Sequence, residues 1–347
     1  MESADLLIVG GGQSGLSTAH TATRIGLRPI ILEASDEAVG SWPAYYDSLA
    51  LFSPARYSAL PDRPFPGDPE RYPSRDEVIG YLREYAAALD ADIRTGHRVD
   101  SVTRQPDGTL CATTAHGDFR APIVIAATGG FGNPYRPALP GLDTFAGHVL
   151  HAAQYRNPKD FADHRVVVVG GGNSAVQIAV DLADVARVSL ATRGPLKWFR
   201  QRTLGKDLHW WLTRTGLDTA PLSRVLGGQT MAVIDDGRYK SALATGNPDH
   251  RPMFTTLAED TVTWSDGTTE HLDTVILATG YRPHLNYLHN LGALDPDGKP
   301  QHKHGISTAV PGLGYVGLEW QRSLSSASLR GAARDAGYVL KRLRGTG

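Results

Sequence analysis

Three glycines, Gly10, Gly12 and Gly15, and an acid 18 residues beyond them, Glu33, have the types and spacing of a dinucleotide-binding turn. The first glycine permits a tight turn, the second lets the backbone approach a pyrophosphate, and the third allows close helix–strand contact. The N–H groups opening the next helix would bind the anion, and the acid would accept from ribose hydroxyls. The same arrangement recurs 160 residues later as Gly170, Gly172 and Ala175, with Arg193 at the matching offset. A carboxylate repels a ribose 2′-phosphate, whereas a guanidinium is a forked donor to it. The first site therefore suits FAD, and the second suits NADPH better than NADH. Val185 to Lys206 contains no acid but holds Arg187, Arg193, Lys197, Arg200, Arg202 and Lys206. For all of these except Arg193, a solvated basic loop is the competing reading.

Little else has the spacing of a catalytic cluster. His302 and His304 form an HxH pair with no third ligand nearby, so no metal site is expected. Cys111 is the single cysteine, which excludes a CxxC pair or an internal disulfide and points to a reducing, cytoplasmic setting. The stretch FAGHVLHAAQYR, residues 145–156, holds two histidines, two aromatics and an arginine, yet follows neither helical nor strand periodicity. Its place just before RVVVVGGG makes it a connector between two units.

The elements around these motifs are legible. Leu6–Val9 and Val166–Val169 are short apolar runs of the kind buried in parallel sheets. RPIILEA reads as the strand ending in Glu33. Ser53 to Pro73 carries six prolines and must be mostly irregular. Ser74 with Glu77 forms a capping box for a helix whose face is Val78, Tyr81, Leu82 and Tyr85. A small antiparallel meander is expected over residues 93–114, then a buried strand ending at Thr128-Gly129. The pattern repeats before Thr279-Gly280, and a serine-rich cap leads into a C-terminal helix. Gly205 to Met253 is poorly patterned. Its adjacent Trp210 and Trp211 suit an interdomain or subunit contact, with the substrate passage as the alternative.

The predicted fold class is α/β, with two Rossmann-like dinucleotide-binding domains and the NADPH domain inserted into the FAD domain. The expected boundaries are residues 1–155, 156–272 and 273–347. The chain has 347 residues, 41% hydrophobic and 20% charged, with a net charge of −1. That balance argues against a nucleic-acid or anionic-membrane binder. The N-terminus lacks the basic region and cleavage site of an export signal, and no apolar run reaches the roughly 18 residues of a membrane span.

These motifs together resemble the class B flavin-dependent monooxygenases, among them microbial flavin-containing monooxygenases, plant indole-pyruvate monooxygenases and small bacterial members found beside arsenic-resistance genes. The resemblance covers nearly the whole chain. It rests on the paired fingerprints, on GSW at Gly40 to Trp42, on ATGYRP at Ala278 to Pro283, and on the family motif FxGxxxHxxx(Y/F), matched by Phe145, Gly147, His151 and Tyr155. It implies that NADPH reduces FAD, that O2 adds to the reduced flavin as a C4a-hydroperoxide, and that a small soft nucleophile takes the distal oxygen. The ketone-oxidising branch places tryptophan where Tyr155 stands, so the reading moves to S- or N-oxidation. Many animal-type relatives carry an asparagine near the flavin, in the region matching Leu51-Phe52-Ser53-Pro54 of this chain.

The resemblance implies catalytic candidates Ser53 and Tyr155. The expected cofactor contacts are Gly10, Gly12, Gln13, Ser14, Gly15, Glu33, Gly40, Ser41, Trp42, Val99, Thr128, Gly129 and His151 in the first part. The second part adds Gly170, Gly172, Asn173, Ser174, Thr192, Arg193, Thr279, Gly280 and Tyr281. An NADPH oxidase, a thiol-free flavin or ferredoxin-type reductase, and a non-enzymatic redox sensor remain as alternatives, and a homodimer is left open.

Overall fold

A computed structural model describes residues 1–221 and 232–345. Two parallel sheets organise it. In the first, the central strand Leu6–Val9 lies between Pro29–Leu32 and Ile123–Ala126, with Asp92–Arg94 outside the former and Leu313–Tyr315 outside the latter. The short strands His302–Lys303 and Ile306–Ser307 finish that edge antiparallel. The second sheet runs Asp249–Pro252, Arg187–Thr192, Arg165–Val169, Thr274–Leu277, His148–His151, all parallel.

The apolar runs are buried on both faces because helices cover one face of each sheet and an antiparallel meander, at residues 99–121 or 256–271, covers the other. Leu6, Leu7, Ile8, Val166, Val167 and Val168 have no exposed surface. Helix Leu329–Arg344 packs on helix Gln13–Arg24. It buries Leu329, Val339, Leu340 and Leu343 against the first sheet, at about 1.5–3 kcal/mol for each side chain. Helix Arg75–Ala87 begins at Ser74 with the reciprocal capping box, and it buries Val78, Tyr81, Leu82 and Tyr85, the face expected from its spacing.

The connector reading of residues 145–156 needs correction. His148–His151 is an edge strand of the second sheet, paired with Thr274–Leu277. Its alternation is weak because an edge strand buries only part of each residue, and only His151 is fully buried. Residues 148–151, placed before the boundary at 155, and residues 274–277, placed after the one at 272, both hydrogen-bond into the second sheet. The mirrored Thr-Gly ends do occupy equivalent places: Ile123–Ala126 pairs with Leu6–Val9 as Thr274–Leu277 pairs with Arg165–Val169.

The poorly patterned stretch holds helices Leu208–Arg214 and Arg238–Ala244, and strand Val233–Asp235, which pairs with Trp198–Arg200. Residues 222–231, within that poorly patterned stretch, lie outside the described residues.

Candidate functional site

Each fingerprint sits between a parallel strand and the N-terminus of a helix that has no side-chain cap. In the first, a Cβ on Gly15 would fall 1.9 Å from the Gly10 carbonyl oxygen, so only glycine lets helix and turn touch. A Cβ on Gly40, whose φ is +60°, would lie 2.8 Å from Gly12 Cα. Helix Gln13–Arg24 starts at Gly12 with free N–H groups and no acid in its first turn. In the second, helix Asn173–Leu182 starts at Gly172, also without a cap, and a Cβ on Gly172 would meet nothing within 4 Å. Free donors facing open space are a cradle for phosphate oxygens. The residues present fit a dinucleotide at each site.

Glu33 is buried and braces the first turn. Its Oε2 accepts from the Gly11 N–H at 2.6 Å, and Oε1 accepts from the Ser35 N–H and Oγ, both at 2.8 Å. Trp42 Nε1 donates to Gln13 Oε1 at 3.0 Å, which joins the GSW segment to the fingerprint helix. Ser14 is buried while Ser41 is exposed. The Val99 side chain lies in the core, so only its backbone is available to a ligand. The chain just before it is brought to the end of Pro29–Leu32 by the Gly96 N–H on Ser35 O and the His97 N–H on Glu33 O.

At the second site Arg193 is exposed just past the strand end and has no acidic partner among the described residues. Thr192 Oγ1 lies 2.7 Å from both Gly194 O and His250 Nε2. Beside them is an open cavity of about 480 Å³ lined in part by Trp198, Lys240 and His250. The Lys240 ammonium lies over the Trp198 ring at 5.2 Å. Asn173 Oδ1 accepts from the Ile234 N–H, and Ser174 lies at the same helix N-terminus.

The two units are joined by paired crossings. Thr128 Oγ1 donates to His284 O at 2.6 Å, and Thr279 Oγ1 donates to Tyr135 O at 2.5 Å. The hydroxyls of both Thr-Gly pairs are therefore used in holding the crossings. Gly129 and Gly280 adopt φ of +60° and +82° there. His151, at 1% exposure, lies against the same junction. Its Nε2 is 3.1 Å from Gly280 O, Nδ1 accepts from the Ala153 N–H, and its ring meets Tyr281 edge-on at 5.1 Å. With Nδ1 occupied as an acceptor, Nε2 is the donor. Burial holds its pKa below the ordinary histidine value.

Neither catalytic candidate has a free reactive group. Tyr155 is 1% exposed, and its hydroxyl donates to Asp181 Oδ2 at 2.7 Å. Burial, then that carboxylate, raises its pKa far above the usual phenol value. Ser58 Oγ donates to the Ser53 and Pro54 carbonyls, which leaves the Ser53 hydroxyl as donor to Ser58 Oγ at 2.8 Å.

An aromatic row lines the junction, and two of its members, Tyr45 and Phe131, are absent from the motif reading. Trp42 meets Tyr45 at 5.7 Å, Tyr45 meets Phe131 at 4.6 Å, and Phe131 meets Tyr281 at 5.3 Å. Burial pushes the Tyr45 hydroxyl up to about 12, helped by the nearby Glu319. Burial also raises Glu319. Tyr45 lies three residues after Trp42 and Phe131 two after Gly129, but no spacing rule marks them.

The comparisons agree with this geometry. Residues 7–215 match the family model described as pyridine nucleotide-disulphide oxidoreductase. A flavin-containing monooxygenase from Stenotrophomonas maltophilia superposes with a TM-score of 0.88 at 31% identity, covering 100% of this chain and 99% of that one. The chain belongs to the flavin-dependent monooxygenases. Within this family it is 31% identical to the rice indole-3-pyruvate monooxygenase YUCCA1 over 83% of this chain and 79% of that protein. It is 30% identical to the Bacillus subtilis uncharacterized oxidoreductase CzcO over 98% and 99%. A bacillithiol disulfide reductase from Staphylococcus aureus, at 20% identity and a TM-score of 0.76, shares the fold alone. This monooxygenase has only Cys111, a buried thiol whose pKa is raised by desolvation. No helix among the described residues is long and apolar enough to cross a membrane.

Proposed function

We propose that this flavin-dependent monooxygenase uses NADPH and O2 to place one oxygen atom on a sulfur, nitrogen or similarly soft atom of a small molecule. The observation that carries it is the contrast between two uncapped helix N-termini, one completed by Glu33 and the other by Arg193. FAD would lie on the first, with Gly12, Ser14 and Glu33 about its pyrophosphate and ribose. NADPH would lie on the second, with Gly172 at its pyrophosphate and Arg193 at its 2′-phosphate. On this reading the second sheet is a nicotinamide domain inserted into a flavin domain. The bound flavin supplies the redox chemistry and the activation of O2. The chain's own residues align the two cofactors, through His151 and Tyr281 at the junction, and exclude water, through the Trp42–Tyr45–Phe131–Tyr281 row. The assignment to heteroatoms comes from the family position of Tyr155. The buried single thiol supports a cytoplasmic setting.

The bonded state of Ser53 favours a second reading in part. With that hydroxyl occupied by Ser58, some NADPH would be spent on H2O2. The test is a purified, yellow holoenzyme assayed for NADPH oxidation with thioethers, amines, indoles and trivalent arsenicals. Substrate-stimulated turnover without matching H2O2 supports oxygenation. Stoichiometric H2O2 with every compound would make it an oxidase, and fast electron transfer to ferredoxin would make it a reductase.

A further inference from the structure

Arg193 is not the only cation without an acidic partner at the second site. Helix Arg238–Ala244 packs against helix Asn173–Leu182 and strand Asp249–Pro252, and it carries Lys240. Lys240 is exposed, and its ammonium lies 5.2 Å from the centroid of the Trp198 ring. An ammonium resting on an aromatic face keeps its whole charge for an anion, because the ring carries no net charge of its own. The acids nearest to it in the chain are held by other donors. Asp235 Oδ1 accepts from the Tyr239 N–H at 2.9 Å, and Asp236 Oδ1 accepts from the Arg238 N–H at 3.0 Å. Asp249 accepts from Arg251 Nε and from Ser189 Oγ. No acid among the described residues pairs with Lys240, and the sequence from 222 to 231 contains none.

Lys240 and the turn that carries Arg193 border one cavity. Lys240 lines the opening of about 480 Å³ together with Pro195 and Leu196, the second and third residues after Arg193. Thr192 Oγ1 donates to Gly194 O and so accepts from His250 Nε2, which ties the Arg193 turn to another wall of the same cavity. Leu196 also reaches the fingerprint, since a Cβ on Gly171 would meet its Cδ2 at 3.6 Å. Trp198 and Leu243 supply further apolar wall. Lys197 is exposed and equally without an acid, yet it lines no part of this cavity.

We infer that Lys240 is a second specificity-determining residue for the nucleotide: its ammonium binds the ribose 2′-phosphate of NADPH jointly with Arg193, while the adenine lies against Leu196, Trp198 and Leu243. This rests on the reading above, which puts NADPH on the second turn. A phosphate monoester carries about −1.5 to −2 charges at neutral pH, so one guanidinium leaves part of that charge unmatched. A lysine ammonium is a point charge on a long stem and takes phosphate without the two-pronged geometry of arginine. It therefore serves from a helix that lies outside the glycine fingerprint.

Calorimetric titration of the flavin-loaded protein with adenosine 2′,5′-bisphosphate and with 5′-AMP tests this without turnover, since the two probes differ only in the 2′-phosphate. The wild type should bind the bisphosphate at least about tenfold more tightly. Lys240→Ala should weaken the bisphosphate about tenfold and 5′-AMP less than about twofold. Lys240→Arg, which keeps the charge, should retain most of the affinity. Lys197→Ala should leave both ligands within about twofold of wild type, because an exposed charge away from the cavity is screened. Circular dichroism and flavin content confirm that each variant is folded. A Lys240→Ala protein that keeps its bisphosphate affinity, or loses both ligands equally, overturns the inference. So does an equal loss in Lys197→Ala, which would mean a general basic field. If Arg193→Ala abolishes the preference and Lys240→Ala leaves it intact, the inference fails and the NADPH reading stands. A wild type without any preference overturns both.

Discussion

Tyr155 reaches across from the edge of the second sheet and donates its hydroxyl to Asp181 on the fingerprint helix, at 2.7 Å. Ser48 Oγ, from the first unit, donates to the same carboxylate oxygen at 3.0 Å. One carboxylate therefore ties the second fingerprint helix to both the sheet edge and the first unit. The adjacent Tyr46 hydroxyl bonds Gln177 on that helix.

Tyr155→Phe is expected to lower stability by about 1–3 kcal/mol, since it removes a buried donor from a carboxylate. The rate of oxygen transfer should stay within about twofold. Denaturant unfolding and single-turnover kinetics separate the two effects. A large loss of rate at unchanged stability would return Tyr155 to the chemistry.

Arg193→Ala is expected to weaken NADPH by about 1–3 kcal/mol, the scale of a lost charged hydrogen bond, with little change for NADH. Steady-state KM values for both nucleotides check it. Equal losses would refute the assignment of Arg193 to the 2′-phosphate.

Gly172→Ala should leave the fold intact, because φ is −98° and the added methyl meets nothing within 4 Å. The methyl would occupy space needed by a pyrophosphate, so KM for NADPH should rise about tenfold at constant flavin content, ~1.4 kcal/mol. Gly15→Ala should instead cost the folded, flavin-bearing protein, since its Cβ collides with the Gly10 carbonyl. Thermal melts and flavin absorbance distinguish the two.

Glu270 accepts from Arg165 Nε and Nη2 and from Trp264 Nε1, and the Arg165 hydrogen bonds lead in holding its pKa at about 2. A depressed carboxylate stabilises the fold fully above its unfolded value of 4.5, and that contribution fades as pH falls toward about 2. Urea midpoints measured from neutral pH downward should show Glu270→Gln less stable than wild type at neutral pH. The gap should narrow through that window. A gap independent of pH would assign the loss to packing.

His151→Ala should disturb the junction without removing a base from flavin reduction. Both ring nitrogens are engaged and burial disfavours the charged form. Stopped-flow reduction by NADPH should slow, while the shape of its pH profile stays that of the wild type.

Much was legible before any coordinates. Glycine spacing, the apolar runs, the Ser74–Glu77 box and the acid-for-arginine exchange are local rules, written in residues close together in the chain. They defined the paired sheets and both nucleotide turns. What they missed depends on partners far away in sequence. His148–His151 looks patternless until Thr274–Leu277 is laid beside it. Tyr155 stands as a catalytic candidate by position, and only the fold shows its hydroxyl donating to Asp181. Asp207 and His209 are two ordinary residues in an unpatterned stretch until Tyr72 and Gln201 meet His209 on one buried carboxylate. The sequence by itself determined most of the elements and the two glycine turns, because turns and strands are set by nearest neighbours. Tertiary structure alone decided which polar atoms are spent and which remain free, because hydrogen-bond satisfaction is settled only when distant segments are buried together.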